Sequence, residues 1–491
     1  MTPPIPTPPM GEVLLRQDDL ALPRPALDQL VQQTAETLGA APRRVVATLL
    51  DNSAAWAVLD LALAEAGLVH LPIPGFFTAP QIAHVLQASG ADALITAAVM
   101  DLLGLTGTPR PLTLAGTALA LHTLAARPVP LPLPAGTQKI TFTSGTTGNP
   151  KGVCLGAAGL DQVAQGLVQA LAPLDIRRHL CALPLPVLLE NVAGLLAPLA
   201  AGAECVVLPL ARLGLEGSSR FDPATFHAAV MQTRPHSLIL LPQMLRAWAG
   251  WLAATGQRAP ASLRLVAVGG AAVGETLLLA ARQVGIPAHE GYGLSEGSSV
   301  QTLNLPGADR AGSAGRPLPH ARVHVDDRGQ IHVAGSLMLG YLGDNAPAPV
   351  WWPTGDVGHL DEDGFLHVRG RLRHVLITAF GRNVSPEWVE TTLRGQPAIA
   401  QAVVFGEARP HLSAVLWPLR PDASDAQLQA AVAEANRELP DYARIGHWVR
   451  ARADFTPEAG LATANGRPQR QAIETLHAAA LYDETAPAFP S

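Results

Sequence analysis

"RRVVATLLDNSAAWAVLDLALAEAGLVHLPIPGFF", residues 43–77, decides the fold class. An apolar run from Val45 to Leu50 is followed by Ala, Leu and Trp at helical spacing, and then by a second apolar run from Leu68 to Ile73. Two apolar strands joined by a helix is the rhythm of a parallel sheet, whose strands are covered on both faces and need a crossover to return. The alternation recurs at "HSLILLPQMLRAWAGWLAATG" (236–256) and "LRLVAVGGAAVGETLLLAARQVGIPAHEGYG" (263–293). An α/β architecture with parallel sheets follows.

The texture changes from about residue 320. "ARVHVDDRGQIHVAG" and "GHLDEDGFLHVRGRLRHVLI" alternate apolar and polar residues around Asp-Gly and Arg-Gly turns, the pattern of antiparallel hairpins. Beyond residue 383 helix ("SPEWVETTLRG"), strands ("AQAVVFGE", "LSAVLWPL") and helix ("DASDAQLQAAVAEANREL") suit a small α+β domain. The boundary is expected near Arg371 to Arg373. It divides the chain into a large α/β domain with a β-rich part (1–370) and a small α+β domain (371–491).

At 491 residues, 48% of them apolar, the chain is long enough for two or three packed domains. Its net charge of −6 and lack of a basic block argue against a nucleic-acid partner. Cys154, Cys181 and Cys205 are odd in number and lack CxxC spacing, so neither a disulfide framework nor a zinc knuckle is expected, only buried thiols. "MTPPIPTPPMGEV" has no basic residue and no apolar core of a secretory signal, and no charge-free apolar run reaches membrane-spanning length. A cytoplasmic protein is expected.

"TFTSGTTGNPKG" (141–152) crowds Gly, Ser and Thr around Lys151, one of only two lysines among 34 basic residues. Ile140 and Phe142 before it, and Val153 and Leu155 after it, alternate as in strands. Such a loop suits a flexible polar turn. It equally offers unhindered amides and hydroxyls to phosphate oxygens, and the rarity of lysine favours that reading. A Walker A loop is excluded, because Lys151 stands between Pro150 and Gly152.

"TSGTTGNPKG" resembles the phosphate loop of the AMP-forming adenylating enzymes: acyl-CoA synthetases, peptide-synthetase adenylation domains and luciferases. "GYGLSEG" (291–297) resembles their aromatic-Gly-x-Thr-Glu element, with Ser295 for the usual Thr. "PTGDVGHLDEDGFLHVRGR" (353–371) and "GRNVSPEWVE" (381–390) resemble the segments that lead to the hinge and open the mobile C-terminal domain. The resemblance spans nearly the whole chain and implies a ligase that converts a carboxylic acid and ATP to acyl-AMP, then passes the acyl group to a thiol.

It also implies site residues. Thr143, Ser144, Gly145, Thr146, Thr147, Gly148 and Lys151 would hold the ATP phosphates. Glu296 and Thr143 would ligate Mg²⁺, which prefers hard oxygen donors. Asp356 and Arg371 would meet the ribose and phosphate. Tyr292 and Gly293, with the Gly270–Ala271 turn, would lie near adenine, beside Ser295. Arg373 would be the hinge. "LPLPVLLENVAG" (183–194) resembles the acyl-pocket segment, with Glu190 matching the fatty acyl-CoA synthetase branch and Val187 departing from the usual aromatic or His. A fatty or other apolar acid is the expected substrate, within lipid metabolism.

"GLATANGRPQRQAI" (460–473) resembles the tail that delivers a catalytic lysine, but the position is Arg467 and no lysine follows Lys151. Arginine keeps the charge in a planar, bulkier form. The expected thiol is coenzyme A. A carrier protein's phosphopantetheine is the alternative acceptor, and a homologue that only binds nucleotide is a further alternative. "GLSEG" (293–297) also matches the G-x-S-x-G elbow of serine hydrolases, which would make Ser295 a nucleophile, but the residues after it are poor helix formers.

Overall fold

The computed structural model describes residues 13–97, 108–124, 131–143, 151–216, 220–344, 349–377, 383–407, 409, 411–463 and 466–482. The run 43–77 forms the strand Val45–Leu49, the helix Ala54–Glu65 and the strand Val69–Pro72, and the two strands pair in parallel. The Ser53 side chain accepts from the Trp56 amide and starts the helix. Almost every residue from Ala54 to Leu63 is buried, because the helix packs with Leu14 and Leu15 on one side and Val46 and Ile95 on the other. A helix apolar all round belongs in an interior.

That interior lies between two sheets. Among the described residues one sheet has eight strands, with Thr137–Thr143, Val69–Pro72, Val45–Leu49 and Ala93–Ala97 parallel at its centre. The other has nine, with a parallel run through Ala288–Leu294, Leu265–Val268, Ser237–Leu240, Arg178–Cys181, Glu204–Val207 and Val13–Gln17. Helices Ala54–Glu65 and Ala157–Leu171 fill the space between the sheets. Helices Pro223–Thr233, Pro242–Thr255 and Glu275–Gln283 cover the outer face of the nine-stranded sheet, and Ala79–Ser89 covers that of the other. The layers therefore alternate helix, sheet, helix, sheet, helix.

One charge enters the buried helix. Asp60 is 4% exposed, and Lys139, from the strand Thr137–Thr143, places Nζ 2.7 Å from its Oδ1. His70 Nδ1 lies 2.5 Å from the same carboxylate, and Thr48 Oγ1 2.8 Å from His70 Nε2. Asn191 donates to Asp60 Oδ2 at 2.9 Å and accepts from Lys139. Burial alone would raise the Asp60 carboxyl, but Lys139 and His70 overcome it and hold the group well below the usual carboxylate range. Asn191 arrives on a wide π-helical turn, Glu190–Leu196, which runs into the helix Ala197–Ala201.

The hairpins read after residue 320 form a four-stranded antiparallel sheet: Ala321–Val325, Gln330–Gly335, Trp352–Leu360 and Leu366–Arg371. Gly329 has φ +76° and Gly364 φ +80°, the left-handed turns that those positions need. Beyond them, helices Pro386–Gly395, Asp425–Glu438 and Arg470–Leu481 pack on a three-stranded sheet with its own core. The fold is thus a large N-terminal α/β part followed by a smaller α+β part. Among the described residues no helix is long and apolar enough to cross a membrane.

Candidate active site

In an open α/β sheet, ligands sit beyond the carboxyl ends of the strands. Here the strand Leu265–Val268 ends in the Gly269–Gly270 turn, and Ala288–Leu294 runs on past it to pair antiparallel with Ser299–Leu303. That pairing explains Gly293. A Cβ there would lie 2.3 Å from the Ser299 carbonyl oxygen, so only glycine permits the approach. Tyr292, before the bend, reaches the hairpin sheet, and Glu296, after it, meets Tyr341 on the strand Gly340–Tyr341 of the eight-stranded sheet.

Tyr292 donates its hydroxyl to Asp356 Oδ2 at 2.6 Å. Asp356 faces Arg371 across its hairpin, and Arg371 Nε lies 2.8 Å from its Oδ1. Thr354 orders both partners: its hydroxyl accepts from the Asp356 amide at 3.0 Å and its carbonyl from Arg371 at 3.0 Å. Burial pushes the Asp356 carboxyl above its usual range, while Arg371 and Tyr292 pull it back. The Tyr292 hydroxyl is pushed up by burial and then by Asp356, so it stays a donor.

A second cluster faces the first. Glu296 lies in the short 3₁₀ turn Ser295–Gly297, pinned by the bond from the Met338 amide to its carbonyl at 2.8 Å. Tyr341 donates to Glu296 Oε1 at 2.8 Å, a bond that leaves Oε2 to another partner. Lys151, exposed at the start of its strand and opposite Thr143, holds its ammonium 5.7 Å from the centre of the Tyr341 ring. The Glu296–Thr143 pairing expected of a magnesium site offers oxygen donors only, which suits that ion.

Arg467 completes the cleft from the C-terminal part. Its carbonyl accepts from the Thr463 amide at 2.8 Å, and its guanidinium reaches the Gly270 carbonyl at 3.5 Å. The residue is open to solvent, yet the surrounding protein and then Arg371 lower its pKa, while Asp356 and Glu296 favour its charge. A side chain lining an open cleft satisfies both observations. Arg373, in the 3₁₀ turn Leu372–His374, adds a further guanidinium to the same field. Beside the turn, Glu290 accepts from the Val273 amide at 3.1 Å, and desolvation pushes its carboxyl up to about 8.

The structure brings Lys151, Thr143, Gly270, Tyr292, Gly293, Ser295, Glu296, Asp356, Arg371 and Arg467 to this region, and Ala271 is exposed at the turn. Ser144, Gly145, Thr146, Thr147 and Gly148 lie outside the described residues. Tyr292 is tied down through its hydroxyl, a bond that its motif did not announce. The elbow reading of Ser295 lacks its required helix: a 3₁₀ turn and the strand Ser299–Leu303 follow instead. Tyr341 and Thr354 escaped the sequence reading, since neither stands at a spacing that signals chemistry.

Similarity to known proteins runs along both parts of the chain. Residues 25–342 match the AMP-binding enzyme family, and residues 373–483 match the AMP-binding enzyme C-terminal domain. A long-chain-fatty-acid–CoA ligase of Mycobacterium bovis is 27% identical over 85% of this chain and 84% of its own. A feruloyl-CoA synthase of Amycolatopsis is 31% identical over 81% and 82%. The O-succinylbenzoate coenzyme A synthetase of Bacillus subtilis, solved with ATP and magnesium ion, shares the fold with a TM-score of 0.73, at 23% identity over 94% of this chain and 96% of that one. The matched segments run through both parts of the fold and contain Lys151, Glu296 and Arg467, and the chain belongs to the AMP-binding enzyme family.

Proposed function

We propose that this chain activates a carboxylic acid with ATP, giving acyl-AMP and pyrophosphate, and then transfers the acyl group to the thiol of coenzyme A. The observation that carries the reading is the convergence of Asp356–Tyr292–Arg371, Glu296–Tyr341–Lys151 and Arg467 on one cleft. In the first half-reaction a carboxylate oxygen attacks the α-phosphate and pyrophosphate leaves. Asp356 receives the ribose hydroxyls, with Arg371 beside it. Lys151 offers its ammonium to the departing phosphates, where charge builds. Arg467 reaches over the Gly270 turn and stands where its fork of donors can bridge the α-phosphate and the acid. Mg²⁺, held by Glu296 and Thr143 when bound, would supply further neutralisation of the phosphates.

In the second half-reaction the thiol displaces AMP from the acyl carbon. We assign residues 1–370 to ATP and acid binding and 371–491 to a part that turns about Arg373 between the two steps. Arg373→Pro, which fixes φ, is expected to slow one half-reaction and spare the other, and equal effects on both would remove the pivot from this residue. The Glu190 match and the fatty-acid ligase relative support an apolar acid, and the feruloyl relative adds aromatic acids to the panel.

Pyrophosphate release, measured with ATP and a panel of fatty and aromatic acids, tests the proposal. Acid-dependent release followed by a coenzyme A thioester is expected. ATP binding without release for any acid would leave a nucleotide-binding homologue and end the ligase reading. Thioester formed only on a carrier protein would replace coenzyme A as the acceptor.

A further inference from the structure

Behind the cleft, the nine-stranded sheet carries a second cluster that the proposed reaction does not use. His179 and Cys181 alternate along Arg178–Cys181 and so point to one face, and Cys205 is in register with His179 on the adjoining strand. The π-helical turn lies over that face with Glu190 directed into it. His179 is 3% exposed, and Cys181, Glu190 and Cys205 are each 0% exposed.

The donor atoms of His179, Cys181 and Glu190 all lie within 4.8 Å of one another. His179 Nε2 is 3.4 Å from Glu190 Oε1. That is long for a charge-assisted hydrogen bond of about 2.7–2.9 Å. It matches the separation of about 3.4 Å between two ligands of a tetrahedral ion with bonds of about 2.0–2.2 Å. Nδ1 of the same ring lies 2.9 Å from Ser237 Oγ; in the tautomer that donates this bond, the Nε2 lone pair faces the cluster, the support that metal-bound histidines have.

Glu190 Oε2 is buried without a hydrogen-bond partner. A carboxylate so placed needs a proton or a cation. The space is also kept clear, since a Cβ on Gly194 would meet Glu190 Oε1 at 2.4 Å and His179 Nε2 at 2.9 Å. Cys181 and Cys205 both direct their sulfur atoms at the Gly194 carbonyl, at 3.3 and 3.9 Å.

We propose that His179, Cys181 and Glu190 form a buried site for a zinc-like divalent cation. The site is separate from the Glu296–Thr143 oxygen pair. The thiol and imidazole select a borderline-soft ion over Mg²⁺. A Cys181 thiolate and a Glu190 carboxylate balance a dication, so the filled site is neutral and burial is tolerable. Binding releases the Cys181 proton and any proton on Glu190 to solvent, and the ion ties the π-helical turn to the sheet.

The test is the metal content of the purified full chain, with no nucleotide added. After growth with zinc and desalting, about one zinc per chain is expected. Growth in zinc-depleted, cobalt-supplemented medium is expected to give a thiolate-to-cobalt charge-transfer band and the strong visible bands of tetrahedral cobalt. Cys181→Ser and Glu190→Gln are each expected to lower bound zinc by about tenfold or more. Cys154→Ser, a buried thiol in the other sheet, is expected to keep it. A wild-type chain with neither stoichiometric zinc nor a cobalt–thiolate band overturns the proposal, as does full zinc retention by Cys181→Ser. If Cys181→Ser fails to fold, the wild-type cobalt spectrum decides, because that band requires a thiolate ligand.

Discussion

Lys139 and Lys151 stand on the two strands of one antiparallel hairpin, Thr137–Thr143 and Lys151–Gly156. Lys139 is 4% exposed and locked onto Asp60 and Asn191, whereas Lys151 is exposed over the Tyr341 ring at the mouth of the cleft. In a chain whose other basic residues are all arginine, the two ammonium groups therefore answer different demands. One is a compact charge that fits between a buried carboxylate and an amide, where a planar guanidinium would crowd. The other is a charge offered to a ligand. Scarcity alone does not separate the two; burial and partners do.

Removing the buried one is expected to have the largest effect. Lys139→Ala takes the ammonium from buried Asp60 and leaves only His70 and Asn191 to hold its charge, and is expected to cost about 3–5 kcal/mol in chemical denaturation. An unchanged unfolding midpoint would dissolve the contrast. Lys151→Ala is expected to do the reverse, slowing pyrophosphate release on the order of 10²-fold while unfolding stays at wild type. Release at the wild-type rate would strip Lys151 of its role.

Arg467 sharpens the comparison, being the guanidinium where the family pattern has an ammonium. Arg467→Ala is expected to slow pyrophosphate exchange by on the order of ten- to a hundredfold, the loss of one charged hydrogen bond of about 1.5–3 kcal/mol. Thioester formation from supplied acyl-AMP is expected to stay nearly intact, and an equal loss in both would contradict the assignment. Arg467→Lys then discriminates: faster adenylation marks a tolerated arginine, and slower adenylation a site shaped around the fork.

A pH-dependent effect belongs to Glu290, a desolvated acid without the cation that Asp60 enjoys. Its folded pKa is raised from 4.5 to about 8, so the folded state favours the protonated form. Its contribution to stability is therefore greatest below the unfolded value and declines as pH rises toward about 8. Glu290→Gln is expected to lose less thermal stability than wild type between pH 5 and pH 8. Parallel pH profiles for the two proteins would exclude this origin.

Much of this was legible in the chain because its signals are local. The run 43–77 announced a strand, a helix and a strand, and the Asp-Gly turns announced the hairpins, since period and turn chemistry act over a few residues. Lys151, Glu296, Asp356 and Arg371 sit in short motifs and were found with them. Tyr341 meets Glu296 from 45 residues away, and Lys139 meets Asp60 from 79 away. Such pairings are set by how the sheets stack, which no local period encodes. The cysteines gave the same lesson. Their spacing carried no metal signature, yet adjoining strands and a helical turn bring Cys181 and Cys205 to one carbonyl.

The wide turn Glu190–Leu196 has a consequence for insertions and deletions. A helical residue advances the chain by about 100° of rotation, and a π-helical turn holds one residue more than an α-helical one. Losing a single residue here would thus shorten the chain little but change its phase: Asn191 would swing away from Lys139, and Glu190 from His179. Point substitutions test these side chains one at a time. A one-residue gap in this segment would uncouple both clusters together, which makes its length a constraint as strict as its sequence.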